Sequence, residues 1–526
     1  MTVLCRDAGA SQWTPLNPFP EPCAGFEEDR DYLFKKPGTG WQMVVDDEPL
    51  RDSPEHPDCW VWPVNFFAGQ VRAHVTSPLA EGVRLPFTLD VSPRLEKLGQ
   101  TQFAEMIAEI RAHDPRLVIG SEPALSTIGN AGTCNDPWLA FFRLRNYGPQ
   151  FVRALRAVAN RPRQVLQHTR RQVSLGQLRR IDARTASVAA RSSAVAIFGP
   201  ALGKVDDLRL DVPSTETTVD CAANRCLKAL ALACLQRIRT LREQLDLSVR
   251  SEKASQTTTP LAARWPIRRA ELESLETQLL RLVRGYPFDE ITTPGVSGAG
   301  LTAIDADPTY ARAWSRGWRA IRDGVDTSAE HDDTWLPPTW QVYERWCFVA
   351  LYRWMVAQHP SLEWRRERDR HEWTGIGSDL EIRLSLQPRF PAGPEPPREC
   401  WSVSREREPD IVVTVQRDTD VQFIVFDAKY RVTRQGVLEA MESAHIYQDA
   451  LRVSGRRPIA SLLLVPRLGG VDWLEKPEFQ AAHRVGVCQL SPDVEFTPPP
   501  FIRAALSFVA QREGAKGCAA ETLERV

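Results

Sequence analysis

Two β-branched runs, "IVVTV" at 411–415 and "VQFIVF" at 421–426, are separated by little more than the turn-forming stretch "RDTD". Their composition predicts two strands, and the intervening residues predict a tight hairpin. A loop of two or four residues centred between Asp418 and Thr419 fixes the register and sets Asp410 opposite Asp427. Directly opposed positions bring Cβ atoms to about 5 Å, so two carboxylates placed there repel each other unless a cation lies between them. Lys429 follows Asp427 by two residues and falls on the same face of an extended chain.

The resulting pattern, P-D-x(16)-D-x-K, puts a carboxylate pair and an ammonium at the end of otherwise apolar strands. Oxygen ligands of this kind suit Mg²⁺, with Mn²⁺ as a substitute. An ion held there would polarise a phosphodiester oxygen and lower the pKa of a bound water, while Lys429 positions the nucleophile or offsets transition-state charge. The chain contains nine lysines against 57 arginines, so a lysine at this position is not a routine choice of cation. The bland alternative is two strand-ending aspartates and a surface ion pair. A Pro-Asp opening one buried strand and an Asp-x-Lys closing the next favour the chemical reading.

Neighbouring segments add further candidates. "TWQVYERWCFVALYRWMVAQH" at 339–359 predicts an apolar helix whose only acidic residue is Glu344. A buried glutamate is costly unless paired or bound to metal, and Arg345 and Arg353 are alternative partners. "VLEAMESAHIYQDALRV" at 437–453 predicts a second helix, carrying His445, Tyr447 and Gln448, and "PIASLLLVPR" at 458–467 predicts a buried strand. The three polar residues either face phosphate or serve packing and surface roles.

The rest of the chain bounds these readings. With 526 residues, 43% hydrophobic and 25% charged, it can support several packed domains. The net charge of −1 argues against a uniformly basic coat. No basic leader with an apolar core and no run of 18 apolar residues is present, which predicts a soluble protein without a signal peptide. Eleven scattered cysteines without a C-x-x-C pair predict reduced thiols in the cytoplasm and no structural zinc.

Composition predicts a multidomain α+β chain. Residues 1–120 form a β-rich domain with strands at 71–77 and 84–92 and a helix at 102–113; 121–330 form a helical middle; 331–526 form a C-terminal α/β domain. The middle is locally basic: between Arg143 and Arg191 there are twelve arginines and one acid, Asp182. Read as helical, this stretch offers Arg170, Arg171, Arg179 and Arg180 to a nucleic-acid backbone, or else a solvated face paired with acids from elsewhere. "AVAIFGPALGKVDD" at 194–207 resembles a phosphate loop superficially. Its Gly199-to-Gly203 spacing is one residue short and Val205 replaces the required Ser or Thr, so no nucleotide hydrolysis is expected.

Over residues 331–495, the order of Glu-bearing helix, strands, Asp410, Asp427-x-Lys429, helix and strand closely resembles the PD-(D/E)xK nuclease superfamily. "VYERW", "PDIVV", "FIVFDAKYR", "AHIYQDAL" and "VGVCQLSP" together resemble its McrC-like branch. More weakly, the β-rich start and helical middle resemble larger defence proteins of that branch. The resemblance implies a restriction-endonuclease-like αβββαβ core and a Mg²⁺-dependent DNA endonuclease in antiphage or modification-dependent restriction. It also implies a separate McrB-type AAA+ NTPase as partner. By resemblance, Asp410, Asp427 and the Ala428 carbonyl would hold metal, Lys429 would be the catalytic lysine, and Glu344 an accessory acid. Gln448 stands where related proteins often carry arginine. Cutting both strands would call for a homodimer or larger assembly. The competing expectation is a non-cleaving DNA-binding scaffold or activator of a partner NTPase; RNA cleavage or junction resolution would use the same chemistry.

Overall fold

The computed structural model describes residues 3–77, 84–127, 136–174, 177–189, 209–254, 260–322, 333–367, 371–395 and 398–507. The phosphate-loop lookalike at 194–207 lies outside them. The three stretches drawn from the sequence pack as two compact units, one of residues 1–138 with 324–526 and one of residues 139–323.

In the first unit, the strands expected at 71–77 and 84–92 are present as Gly69–Thr76 and Arg84–Ser92, paired antiparallel. Alternating apolar residues, Val71, Ala73 and Val75 against Phe87, Leu89 and Val91, fill the core below them. The sheet they belong to also takes in Asp333–Trp335, through its pairing with Leu125–Thr127. The amphipathic helix Gln100–His113 buries Phe103, Met106, Ile107 and Ile110 at three- and four-residue spacing.

The C-terminal part of this unit is built on a seven-stranded sheet. Its order is Glu363–Glu367, Glu372–Ile376, Glu381–Leu386, Ile411–Arg417, Asp420–Ala428, Ala460–Val465 and Val485–Gln489. The first five strands run antiparallel and the last two join in parallel. Parity sorts the side chains. Ile411, Val413, Ile424, Phe426, Leu462 and Leu464 pack with the helix Thr339–Gln358, whereas Leu463, Val465 and Val487 pack with Arg434–Ala450. The strands Asp420–Ala428 and Ala460–Val465 carry apolar residues on both faces because helices cover both.

The second unit contains the helices Ala222–Ala254, Pro260–Val283, Gly298–Asp305 and Pro308–Ile321 and most of Pro137–Asn160. One expectation is corrected there. The helical reading of the Arg-rich stretch holds for Pro137–Asn160 and again for Ala183–Ala189, but Val165–Ser174 between them is a strand, paired antiparallel with Arg209–Thr218. Pro162 disfavours helix just before it, and the β-branched Val165, Thr169 and Val173 fit a distant pairing partner that local periodicity does not reveal. Among the described residues no helix is long and apolar enough to cross a membrane.

Candidate active site

The hairpin has the expected register. Arg417 faces Asp420 and Ile411 faces Phe426, so the same register carried one step further sets Asp410 against Asp427. The turn needs only two residues because Asp418 adopts φ 51°, a left-handed conformation that aspartate tolerates better than most side chains. Asp427 is 0% exposed, on the face covered by Arg434–Ala450.

Both Asp427 oxygens are engaged: Lys429 Nζ donates to Oδ1 at 2.8 Å, and Ser443 Oγ donates to Oδ2. Asp410 Oδ2 accepts from the Ala428 backbone N–H at 2.8 Å and lies 3.5 Å from Lys429 Nζ. The ammonium thus sits against both carboxylates and occupies the role a cation would otherwise fill. The N–H and C=O of one strand residue leave on the same edge, so the Ala428 carbonyl is on the edge that faces Asp410.

Glu344 reaches this group from the helix on the other face of the sheet. It is 3% exposed and accepts from Gln387 Nε2 at 2.8 Å. Gln387 in turn donates its backbone N–H to the Asp410 carbonyl at 2.7 Å, from a left-handed conformation at φ 50°. The alternative partners of Glu344 are used elsewhere: Arg345 donates to the Leu117 and Ile119 carbonyls, and Arg353 pairs with Glu109.

Burial pushes the Glu344 carboxyl up to about 7, against the opposing pull of Arg345, Gln387 and Lys429. Burial, then the Asp427 and Glu344 carboxylates, hold Asp410 well above the usual carboxylate range. Burial alone would lower Lys429, but Asp410 and Asp427 outweigh it and raise the ammonium's pKa. Three acids around one lysine leave the site short of positive charge.

Glu344 binds its proton more tightly in the fold than in the unfolded chain, where its value is near 4.5. Metal-free stability should therefore fall as pH rises from about 4.5 to 7, by on the order of 3 kcal/mol from this group. Urea melts of wild type and Glu344→Gln in EDTA at pH 5 and pH 8 check this. The variant is expected to lose less stability across the interval, and equal losses would refute the assignment.

Tyr447 is half-buried beside the same acids, and burial raises its phenol, followed by Asp427 and Asp410. Gln448 gives its amide N–H to the Pro458 carbonyl at 3.0 Å, so that donor is committed to the fold. His445 is exposed on the same helix. In the other unit, Arg170 is consumed by Asp182 and Asp211 at 2.7 and 2.8 Å, while Arg171, Arg179 and Arg180 are exposed.

Three residues beyond the sequence reading belong to the site: Ser443, Gln387 and Arg407. Arg407 stands three positions before Asp410, its backbone locked to Phe390 by reciprocal hydrogen bonds of 2.8 and 3.0 Å. Its charge lowers the Tyr447 phenol, and its buried Nε has no acceptor among the described residues. No unusual local spacing marks any of the three. Tyr430, next to Lys429, packs against Tyr343 at 5.7 Å and lies 4.8 Å from the Lys97 ammonium, which ties the end of this strand to the β-rich N-terminal part of the same unit.

Among the described residues no three acidic, histidine or cysteine side chains gather into a ready-made cation site. The donor set still fits a hard divalent ion, because Mg²⁺ is commonly held by one or two carboxylates with water completing its shell. The opposed Asp410 and Asp427, together with the Ala428 carbonyl, meet that requirement.

Comparison with known families agrees with this geometry. Residues 67–298 match a family described as a domain of unknown function (DUF2357). No curated protein matches the chain. Residues 341–461, which include Glu344, Asp410, Asp427 and Lys429, match the PD-(D/E)XK nuclease superfamily, whose members generally depend on a divalent metal.

Proposed function

We propose that this chain is a Mg²⁺-dependent DNA endonuclease whose active site comprises Asp410, Asp427, Lys429 and Glu344. The observation that carries the reading is the opposed Asp410 and Asp427 with Lys429 Nζ against both, at the end of buried central strands. Asp410, Asp427 and the Ala428 carbonyl would hold the ion, Mg²⁺ or Mn²⁺. A divalent cation bound there supplies Lewis acidity that draws charge from the scissile phosphate.

The chain's own groups do the rest. Lys429 orients the attacking water and offsets charge that builds on the phosphate oxygens. Glu344, with its carboxyl near 7, can accept the water's proton close to neutral pH. Gln387 fixes Glu344 relative to Asp410, and Ser443 fixes Asp427. Arg407 lies ready for a phosphate oxygen, with Tyr447 beside it.

Arg407→Gln should raise KM about tenfold with a smaller change in kcat, since a charge-assisted hydrogen bond to phosphate contributes about 1.5 kcal/mol. Steady-state nicking at varied DNA concentration measures the split. A pure loss of kcat would assign Arg407 to the chemical step instead.

The wider setting belongs to the same reading. The N-terminal part and the helical middle bind nucleic acid or dock an AAA+ NTPase of the McrB type, and the assembly acts in antiphage or modification-dependent restriction. Two copies of the chain would supply one active site per strand. The nine described cysteines are free thiols, which suits a reducing, cytoplasmic setting. Incubation of purified protein with supercoiled plasmid, single-stranded DNA and RNA in Mg²⁺, Mn²⁺ or EDTA tests the activity. Metal-dependent plasmid nicking is expected, and preference for RNA would shift the substrate.

A further inference from the structure

The second unit carries an arginine-lined cleft that the active site does not use. It has a volume of about 270 Å³ and lies between the helices Pro137–Asn160 and Pro308–Ile321. Gln150, Arg153, Thr309, Arg312 and Arg316 line it, and no carboxylate does. Among the described residues none of the three guanidiniums has an ion pair or hydrogen bond. Gln150 is tied back to the Asn146 carbonyl at 2.9 Å and so belongs to the frame of the cleft.

The fold brings these charges together by close helix packing. Gly317 faces Leu230 and Phe151, and a Cβ there would lie 2.7 Å from both side chains. Only a residue without a side chain lets Pro308–Ile321 settle deeply enough to set Arg312 and Arg316 beside Arg153. Arg312 and Arg316 are one helical turn apart, an arrangement in which like charges repel and destabilise the helix slightly. Three other arginines of this unit, by contrast, are neutralised: Arg170 by Asp182 and Asp211, and Arg239 and Arg242 by Glu276. Three unneutralised guanidiniums around one concavity make an anion site. The guanidinium fork matches phosphate oxygens better than a compact ammonium does.

We propose that this cleft binds backbone phosphates of nucleic acid, making the helical unit a substrate-holding element remote in sequence from the catalytic residues. The inference rests on the nuclease reading for its ligand, since an enzyme of that kind must hold a polyanion. Within the stretch dense in arginine it moves the nucleic-acid contact from Arg170, which is consumed internally, to Arg153, which the fold joins to Arg312 and Arg316. Its core is that Arg153, Arg312 and Arg316 meet in one cleft without an acid.

The test uses the full-length chain and a short labelled duplex in Ca²⁺ or EDTA, with affinity measured across a salt series. Arg312→Gln with Arg316→Gln should weaken binding at low salt by roughly tenfold or more and flatten the salt dependence by about two units of slope. Arg312→Lys with Arg316→Lys should keep most of the slope. Arg153→Gln, on the other helix, should remove about one unit without altering Pro308–Ile321. Wild-type affinity and slope in both glutamine variants would overturn the proposal, as would a wild type that binds no nucleic acid. Binding that depends on these arginines without metal-dependent cutting would uphold the cleft and remove the nuclease reading. Cutting by a wild type whose binding ignores these arginines would do the reverse.

Discussion

Asp427→Asn is expected to abolish cutting while leaving the metal-free protein at least as stable as wild type. Asparagine keeps the shape of the side chain and can still accept from Lys429 or Ser443, which engage the two Asp427 oxygens. It removes one of two opposed charges at a position that is 0% exposed, so a repulsion in the metal-free fold disappears with it. The same change removes half of the carboxylate pair proposed to hold Mg²⁺. Loss of that contribution to transition-state charge should lower the rate by about 10³-fold or more. Thermal melts with and without Mg²⁺ separate the two effects. Wild type should gain about 2 to 3 kcal/mol at metal concentrations near a hundred times its dissociation constant, and the variant little. A strongly destabilised variant, or one that gains as much from Mg²⁺ as wild type, would place the metal elsewhere.

Lys429→Ala should show the opposite stability signature. The lysine lies 2.8 Å from Asp427 and 3.5 Å from Asp410, and its removal leaves both carboxylates without their cation. Because the lysine is 27% exposed, solvent moderates the loss, and about 2 kcal/mol of metal-free stability is expected to go. Mg²⁺ should restore more stability to this variant than it gives wild type, since it would neutralise an uncompensated pair. Cutting should nonetheless fall about 10² to 10³-fold, because the group that orients water and offsets phosphate charge is gone. Melting curves and plasmid nicking on the same preparation measure both. Cutting at the wild-type rate would remove Lys429 from the chemistry. Metal-free stability equal to wild type would mean that the lysine does not hold the pair together.

The two variants rest on the part of the site that the sequence makes legible. Strand parity and a two-residue turn are local properties, and they suffice to oppose Asp410 and Asp427 and to place Lys429 on the same face. Glu344 could be suspected as the lone acid of an apolar helix, but its partner could not be chosen. Gln387 meets it only because the chain returns to the sheet's end in a left-handed conformation. Ser443 is an ordinary helical serine until that helix is laid across Asp427. Arg170 in the Arg-rich stretch is hidden from the sequence for the same reason. Neighbours along the chain part in space: Arg170 finds Asp211 across a strand pairing 41 residues away, while Arg153 of the same stretch meets Arg312 and Arg316 in the acid-free cleft. Local alternation was also insufficient to tell the strand Val165–Ser174 from a helix, because its partner Arg209–Thr218 is distant in sequence.

The most direct test of the central claim compares wild type with Lys429→Ala on supercoiled plasmid, in Mg²⁺ and in EDTA, with both proteins verified as folded. Nicking by wild type in Mg²⁺ alone, lost or reduced at least about a hundredfold in the variant, is the predicted result. Cutting that persists in EDTA, or that proceeds equally in both proteins, would contradict the assignment of metal-dependent phosphodiester hydrolysis to Asp410, Asp427 and Lys429.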